Sequence, residues 1–338
     1  MSLAETLAAV LDHDGDLPAT IARLQALLPG LSDPASPEEL IALLRILHAV
    51  GRRDLPLGRL FEGHVDALQI VSRYAGEATA QAALENARRG GTFGVWNAEL
   101  VGEPLRLERG RLSGGKSFAS GAGLLSHALV AADSSEGRQL ILIDLGRAPP
   151  EIDRNWWKTV GMQRSQTHVV RWADVPIDEA DLVGRPDDYV REPWFSGGAL
   201  RFVAVQAGGI AALFDQVRDH LVKAGRAGDP LQAARLADLF NIAELAGAAV
   251  RGAARRWFRE TDALRLARVA AARVQIGDLG ERALGVAQQA VGVQGLFEAH
   301  PLAAAVTDLM VYLRQPAPDA QRLRVGQAVA EKLLVPGL

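Results

Sequence analysis

Gly110-Arg111-Leu112-Ser113-Gly114-Gly115-Lys116-Ser117-Phe118-Ala119-Ser120-Gly121-Ala122 admits two incompatible readings. Its first eight residues satisfy the P-loop expression, with Lys116 and Ser117 placed for phosphate and magnesium and Asp144, after Leu140-Ile141-Leu142-Ile143, as the later acid. A P-loop needs a buried parallel strand before it and a helix directly after it, because the helix N-terminus completes the phosphate cradle. Neither flank complies. Pro104-Leu105-Arg106-Leu107-Glu108-Arg109 alternates apolar with charged residues, as a half-exposed antiparallel strand does. Phe118-Ala119-Ser120-Gly121-Ala122-Gly123 carries two glycines where a first helical turn would sit. The segment reads instead as a hairpin turn at Glu108-Arg109-Gly110-Arg111 that leads into a strand.

Outward from this segment, from Gly90 to about Val183, other short apolar or alternating runs repeat the strand signal: Thr92-Phe93-Gly94-Val95-Trp96, His127-Ala128-Leu129-Val130-Ala131, Leu140-Ile141-Leu142-Ile143 and Thr167-His168-Val169-Val170-Arg171-Trp172. The connections are too short and Gly-rich for crossover helices, which predicts a small antiparallel sheet or barrel. Both flanks switch to helical spacing. Upstream, Leu40, Leu43, Leu44, Leu47 and Val50 share one helix face behind a start signal at Ser36-Pro37-Glu38-Glu39, and a further helix is expected from Leu57 to Ala87. Downstream, helices are expected over about Trp194–Val222, Leu231–Glu260, Ala263–Val291, Ala299–Leu313 and Asp319–Leu334. The fold class is α+β and multidomain: an N-terminal helical domain over 1–89, a central antiparallel β-domain over 90–190 and a C-terminal helical bundle over 191–338.

Composition narrows the chemistry. The 338 residues carry 37 Lys plus Arg against 40 Asp plus Glu, a net charge of -3, with 49% hydrophobic and 23% charged residues. Such a chain buries a large core and has no basic block for neutralising nucleic-acid phosphates. The absence of cysteine removes disulfides, thiolate-bound metals and thiol nucleophiles, so redox chemistry would have to come from a bound organic cofactor. Asp12-His13-Asp14-Gly15-Asp16 hints at a metal loop but lacks the later bidentate Glu, and the seven histidines offer no zinc-like spacing, so no metal site is expected. Arg251, Arg255, Arg256 and Arg259 form a basic stripe on one helix, read as a solvated or intersubunit face. A cytoplasmic protein without a membrane-spanning segment is the expectation.

The Leu112–Ala122 segment resembles the flavin-facing strand region of acyl-CoA dehydrogenases, where a Gly-x-Lys-x-aromatic-x-Ser/Thr pattern recurs. Gly161-Met162-Gln163-Arg164-Ser165-Gln166-Thr167 and Val169-Val170-Arg171-Trp172-Ala173-Asp174-Val175-Pro176-Ile177 look like that family's closing strand of the β-domain. Gln289-Ala290-Val291-Gly292-Val293-Gln294-Gly295 is similar to its Gln-x-x-Gly-Gly-x-Gly turn, with Val293 at the second Gly. His300-Pro301-Leu302 to Asp308 resembles the approach to its Arg-Asp pair, with Thr307 at the Arg. These matches keep the family's order and span about Gly58 to Asp308.

The resemblance implies FAD between the β-domain and the helical bundle, with Ser120 near the flavin N5/O4 edge and Phe118 against the isoalloxazine. Trp96 and Asn97 stand where the family carries its Thr-Glu-Pro loop, here rewritten. Gln289, Gly292 and Gly295 would let backbone approach the cofactor, from a neighbouring subunit of a dimer or tetramer. The implied function is an FAD-dependent oxidoreductase of acyl-CoA dehydrogenase type, passing hydride from an acyl thioester such as an acyl-CoA, or a similar small organic substrate, to flavin N5, with an electron-transfer or reductase partner expected. Dehydrogenation needs a carboxylate at the substrate α-carbon, and neither family position supplies one: Tyr312-Leu313-Arg314-Gln315-Pro316-Ala317-Pro318 and the neighbourhood of Arg201-Phe202 hold no acid. Flavin-dependent monooxygenases of the same fold lack this Glu, and Arg201 and His300 are the polar groups that would serve such a site. A P-loop nucleotide hydrolase and a non-catalytic homologue acting as a binding subunit are the remaining alternatives.

Overall fold

The computed structural model describes residues 3–11, 16–314 and 317–337, so the Asp12-His13-Asp14-Gly15 part of the metal-loop reading lies outside the described residues. The helices are α1 (Leu3–Leu11), α2 (Leu17–Gln25), α3 (Pro37–Arg53), α4 (Leu55–Tyr74), α5 (Glu77–Arg88), α6 (Trp194–Gly197), α7 (Ala199–Lys223), α8 (Pro230–Trp257), α9 (Asp262–Val291), α10 (Pro301–Tyr312) and α11 (Pro318–Ala330). The strands are β1 (Phe93–Trp96), β2 (Arg106–Glu108), β3 (Arg111–Ala119), β4 (His127–Ser134), β5 (Gly137–Asp144), β6 (Glu151–Asp153), β7 (His168–Pro176) and β8 (Leu182–Val183). The chain divides into two compact units. One comprises Met1–Pro34, Arg59–Lys158 and Gln163–Arg191, the other Ala35–Gly58, Thr159–Met162 and Glu192–Leu338.

The first unit is built on an eight-stranded sheet in the order β6-β7-β3-β2-β4-β5-β8, with β1 paired to β4 beside this path. The expectation of a purely antiparallel sheet needs correction, because β1 and β2 both run parallel to β4. The chain between β1 and β4 is long enough to carry β2 and β3, cross over and return in the same direction, which a tight hairpin cannot do. β4 shows why the sheet is buried on both faces. Leu129 and Ala131 pack against Ala67, Leu68, Ile70 and Val71 of α4 and Ala83 and Ala87 of α5. Ala128, Val130 and Ala132 point the other way, into a core with Trp96, Leu112, Ile141, Val170 and Trp172. The single helix expected over Leu57–Ala87 is two helices, broken at Ala75-Gly76 where Gly76 becomes the N-cap of α5.

The same geometry settles the P-loop question. Residues 111–119 form β3, and no helix follows them. Gly114 and Gly115 serve close packing within the sheet: a Cβ on Gly114 would stand 2.2 Å from the Pro104 carbonyl oxygen, and one on Gly115 2.8 Å from that of Val170. Ser117 Oγ donates to the Glu99 carbonyl at 2.7 Å, and the Lys116 side chain is buried at 1% exposure. Gly110 lies in the turn before β3 and Gly114, Gly115, Lys116 and Ser117 in the strand itself, so the P-loop on which the nucleotide-hydrolase alternative rests is absent here.

The second unit is helical. Ser36 Oγ caps α3 by accepting the Glu39 N–H at 3.2 Å, and Glu39 Oε2 accepts the Ala35 N–H at 2.8 Å, as the start signal predicts. Although α3 lies within the expected N-terminal helical segment, it clusters with the bundle and packs along α7. Glycines permit the approach: a Cβ on Gly208 would stand 2.1 Å from the His48 carbonyl oxygen, and one on Gly51 2.4 Å from that of Val205. The segment Trp194–Lys223 is apolar enough to cross a membrane by length and composition, but 78% of its apolar window is buried inside the chain, as in a core helix.

Candidate functional site

The strongest cluster of chemically equipped residues in the first unit surrounds the end of β3. A register shift between Lys116 and Ala119 in the β3–β7 ladder bulges the strand there. At the bulge Phe118 adopts φ +52, the left-handed region, and its ring turns outward to 54% exposure between the buried Ser117 and Ala119. Two tryptophans flank it. Trp156 meets Phe118 edge-on with ring centroids 4.8 Å apart, Trp157 lies 6.3 Å from the same ring, and the two indoles stack on one another. The result is an aromatic wall that includes the half-exposed Trp156.

Ser120, two residues on, is tied down from both sides. The buried Trp96 donates its indole N–H to the Ser120 carbonyl at 2.8 Å. From the other side, Gly121 N–H donates to Ser165 O at 2.8 Å and Ala122 N–H to Gln166 O at 3.1 Å. Ser120 Oγ accepts from Thr167 Oγ1 at 3.0 Å, and no acceptor for its own proton exists among the described residues. The neighbouring Asn97 has its carbonyl taken by Arg138 at 3.3 Å, while its Oδ1 is buried without a hydrogen-bond partner among the described residues. The structure thus brings Trp96 and Ser120 into contact and sets Phe118 beside them along the chain. Sequence reasoning passed over Thr167, Ser165 and the Trp156-Trp157 pair. The adjacent tryptophans were a visible signal, whereas the pairing of Thr167 with Ser120 depends on cross-strand register.

Lys116 lies in the same strand with its pKa lowered to about 8, first by burial, then by the nearby Arg138, against the opposing pull of Glu99 and Asp133. It forms no ion pair among the described residues, while Arg138 pairs with Glu99 at 3.1 Å.

In the second unit the remaining candidates separate into two places. Gln289 is exposed near the end of α9; Gly292, at φ +72, ends that helix, and Gly295 is buried in the following 3-10 turn against Leu302 and Val291. His300 closes this region as the N-cap of α10: its Nδ1 accepts the Leu302 N–H at 3.1 Å, and its Nε2 lies 3.0 Å from His220 Nδ1. Both ring nitrogens are therefore engaged. Arg201 is buried near the start of α7, where the chain carries no acidic residue between Glu192 and Asp215. His220 follows it by 19 positions on the same helix, which at the α-helical rise is about 28 Å. Arg201 and His300 do not share one centre. Asp308, which follows Thr307, accepts a hydrogen bond from the Met162 N–H. No group of three or more metal-ligating side chains occurs among the described residues.

No protein-family model and no curated protein matches the chain. Solved structures do. Dibenzothiophene monooxygenase TdsC from Paenibacillus sp. A11-2, in its complex with FMN and indole, superposes with a TM-score of 0.80 over 98% of this chain and 95% of its own, at 16% identity. Glutaryl-coenzyme A dehydrogenase in its glutaryl-CoA complex gives 0.81 over 97% and 93%, at 15% identity. Butyryl-CoA dehydrogenase from Megasphaera elsdenii gives 0.75 over 98% and 99%, also at 15% identity. Helical parts around a central mixed sheet, matched over nearly the whole length of dehydrogenases and a monooxygenase alike, identify this chain as one with the acyl-CoA dehydrogenase-like fold.

Proposed function

We propose that this protein is a flavin-dependent oxidoreductase and that, within its fold class, it carries out oxygen-dependent monooxygenation rather than dehydrogenation of an acyl thioester. The observation that carries the flavin reading is the pairing of an outward aromatic ring with an unused buried donor. Phe118 offers an apolar edge, Trp156 and Trp157 extend it, and Ser120 holds a hydroxyl proton with no acceptor among the described residues. That donor set fits a planar heteroaromatic ring whose edge carries acceptor atoms. Two similar structures contain such a group, FMN in TdsC and FAD in PigA.

Bound flavin would supply the two-electron chemistry for which this chain has no cysteine. The chain's own part is to hold it. Phe118 packs against the ring, Ser120 donates to its edge, and Trp96 fixes the Ser120 backbone. Asn97 Oδ1 stands ready to accept from a ligand donor. In a homo-oligomer, the Gln289–Gly295 turn of a neighbouring copy would supply backbone to a cofactor phosphate or adenosine.

The choice of reaction rests on proton chemistry. Removing an α-proton requires a base beside the substrate, and both positions available in this fold lack a carboxylate in this sequence. Monooxygenation consumes oxygen and two electrons from reduced flavin, places one oxygen atom in the substrate and releases the other as water, without that base. A reductase would deliver the reduced flavin. The test is the purified protein itself. Flavin absorption bands that appear on reconstitution with FAD or FMN, with substrate-dependent oxygen uptake only when reduced flavin is added, are expected. Anaerobic bleaching of bound flavin by an acyl-CoA panel would instead establish dehydrogenation, and a protein that binds neither flavin would refute the whole reading.

A further inference from the structure

Three buried hydroxyls form a line beyond the end of β3 in the first unit. Ser165 Oγ and Thr167 Oγ1 lie 2.7 Å apart, and Thr167 Oγ1 donates to Ser120 Oγ at 3.0 Å. Ser165, Thr167 and Ser120 are exposed by only 1%, 4% and 7%. The backbone fixes their spacing, because Ala119 faces His168 in the β3–β7 ladder and Gly121 N–H binds Ser165 O at 2.8 Å.

A hydroxyl has one proton and two acceptor sites. When Thr167 donates to Ser120, the proton between Ser165 and Thr167 comes from Ser165, and Ser120 becomes the last member of the line with its proton unassigned. In a low-dielectric interior each bond polarises the next, so the terminal hydroxyl is a better donor than an isolated serine. In the reverse order Ser120 would donate its only proton inward to Thr167 and could offer a ligand lone pairs alone.

We propose that Thr167 is a positioning residue whose hydroxyl, backed by Ser165, fixes the Ser120 O–H as an outward donor to an acceptor atom on the ligand held at Phe118. The proposal rests on the flavin reading, in which that acceptor belongs to the N5/O4 edge of the ring. It assigns to the Ser165-Gln166-Thr167 segment a function that contact with the ligand would not reveal.

A double-mutant cycle on full-length protein tests it, with apo-protein titrated by FAD and by FMN and followed by flavin fluorescence and the visible spectrum. Losing one such hydrogen bond corresponds to about a fivefold loss of affinity. Ser120→Ala is expected to show that loss, and Thr167→Val a comparable one, with the bound-flavin band displaced in the same direction. In the Ser120→Ala background, Thr167→Val is expected to cost nothing further, because its effect passes through Ser120. Thr167→Ser restores affinity and spectrum. Should Thr167→Val fail to fold, Ser165→Ala gives the same spectral displacement at smaller amplitude while keeping Thr167. Additive losses, or a normal spectrum in both Thr167→Val and Ser165→Ala while Ser120→Ala alters it, would overturn the positioning role and leave the flavin reading standing. A wild-type protein that binds neither flavin would overturn both.

Discussion

Lys116 and His64 show how differently single buried basic groups are accommodated. His64 is neutral by design of its surroundings: its Nδ1 accepts the Phe93 N–H at 3.2 Å, leaving Nε2 to donate to Gln25 Oε1 at 2.9 Å, and burial pushes its pKa down to about 3. Lys116 is as buried but has no ion-pair partner among the described residues, and its pKa falls to about 8 from the usual 10.5. A base whose folded pKa lies below its unfolded value holds fewer protons in the native state, so stability rises with pH between the two values. For Lys116 that window runs from about pH 8 to 10.5, and the full shift corresponds to about 3 kcal/mol. Replacing it with Met, of similar reach and no charge, is expected to stabilise the protein at pH 7.5 and to flatten the rise in urea midpoint between pH 8 and 10. An unchanged slope in Lys116→Met would show that the amine is solvated.

At the level of elements, close packing and caps decide what each segment can bear. Exchanging Gly for Ala inside a helix gains about 1 kcal/mol in propensity, whereas overpacking a tight crossing costs about 1–3 kcal/mol or more. On α7, a Cβ at Gly208 meets the His48 carbonyl oxygen at 2.1 Å, and backbone cannot step aside cheaply. On α9, a Cβ at Gly277 meets nothing within 4 Å. Gly208→Ala should therefore lower the urea midpoint and Gly277→Ala raise it, and equal shifts would contradict the close α3–α7 approach. The junction of α7 with α10 is pH-sensitive for a different reason. His300 Nδ1 accepts from Leu302, so in the neutral ring Nε2 carries the proton and donates to His220 Nδ1. Burial first, then His300, Arg226 and Lys223, lower the His220 pKa. With the folded value below the unfolded 6.5, the contribution is complete above that pH and is lost as pH falls beneath it. Thermal melts at pH 7.5 and 5.5 should differ less in His220→Gln than in the wild type; an equal difference would mean that the pair contributes no pH dependence.

For the molecule as a whole, the order helices, sheet, helices was legible because period and punctuation are local. Alternation around Leu105–Leu107, the caps at Ser36 and Asp229 and the glycines after Ser117 act within a few residues of chain. The same local information excludes a P-loop at Gly110–Ser117. The candidate site was legible in part. Phe118 and Ser120 were marked by their motif, but Phe118 turns outward only because the β3–β7 pairing slips at the bulge, and Thr167 reaches Ser120 only through that ladder. Arg201 and His300 fall in separate places, because α7 sets His220, the partner of His300, about five turns from Arg201. The parallel pairing of β1 and β2 with β4, and the clustering of α3 with the C-terminal helices, likewise followed from contacts between distant segments. The sequence by itself determined the kind and order of elements, the absence of cysteine chemistry and the missing carboxylate, all properties of neighbouring residues or of composition. Only the tertiary structure decided which hydroxyl lies behind Ser120, which face of β3 is presented and which candidates meet, because register and helix crossing are set by packing between residues far apart in the chain.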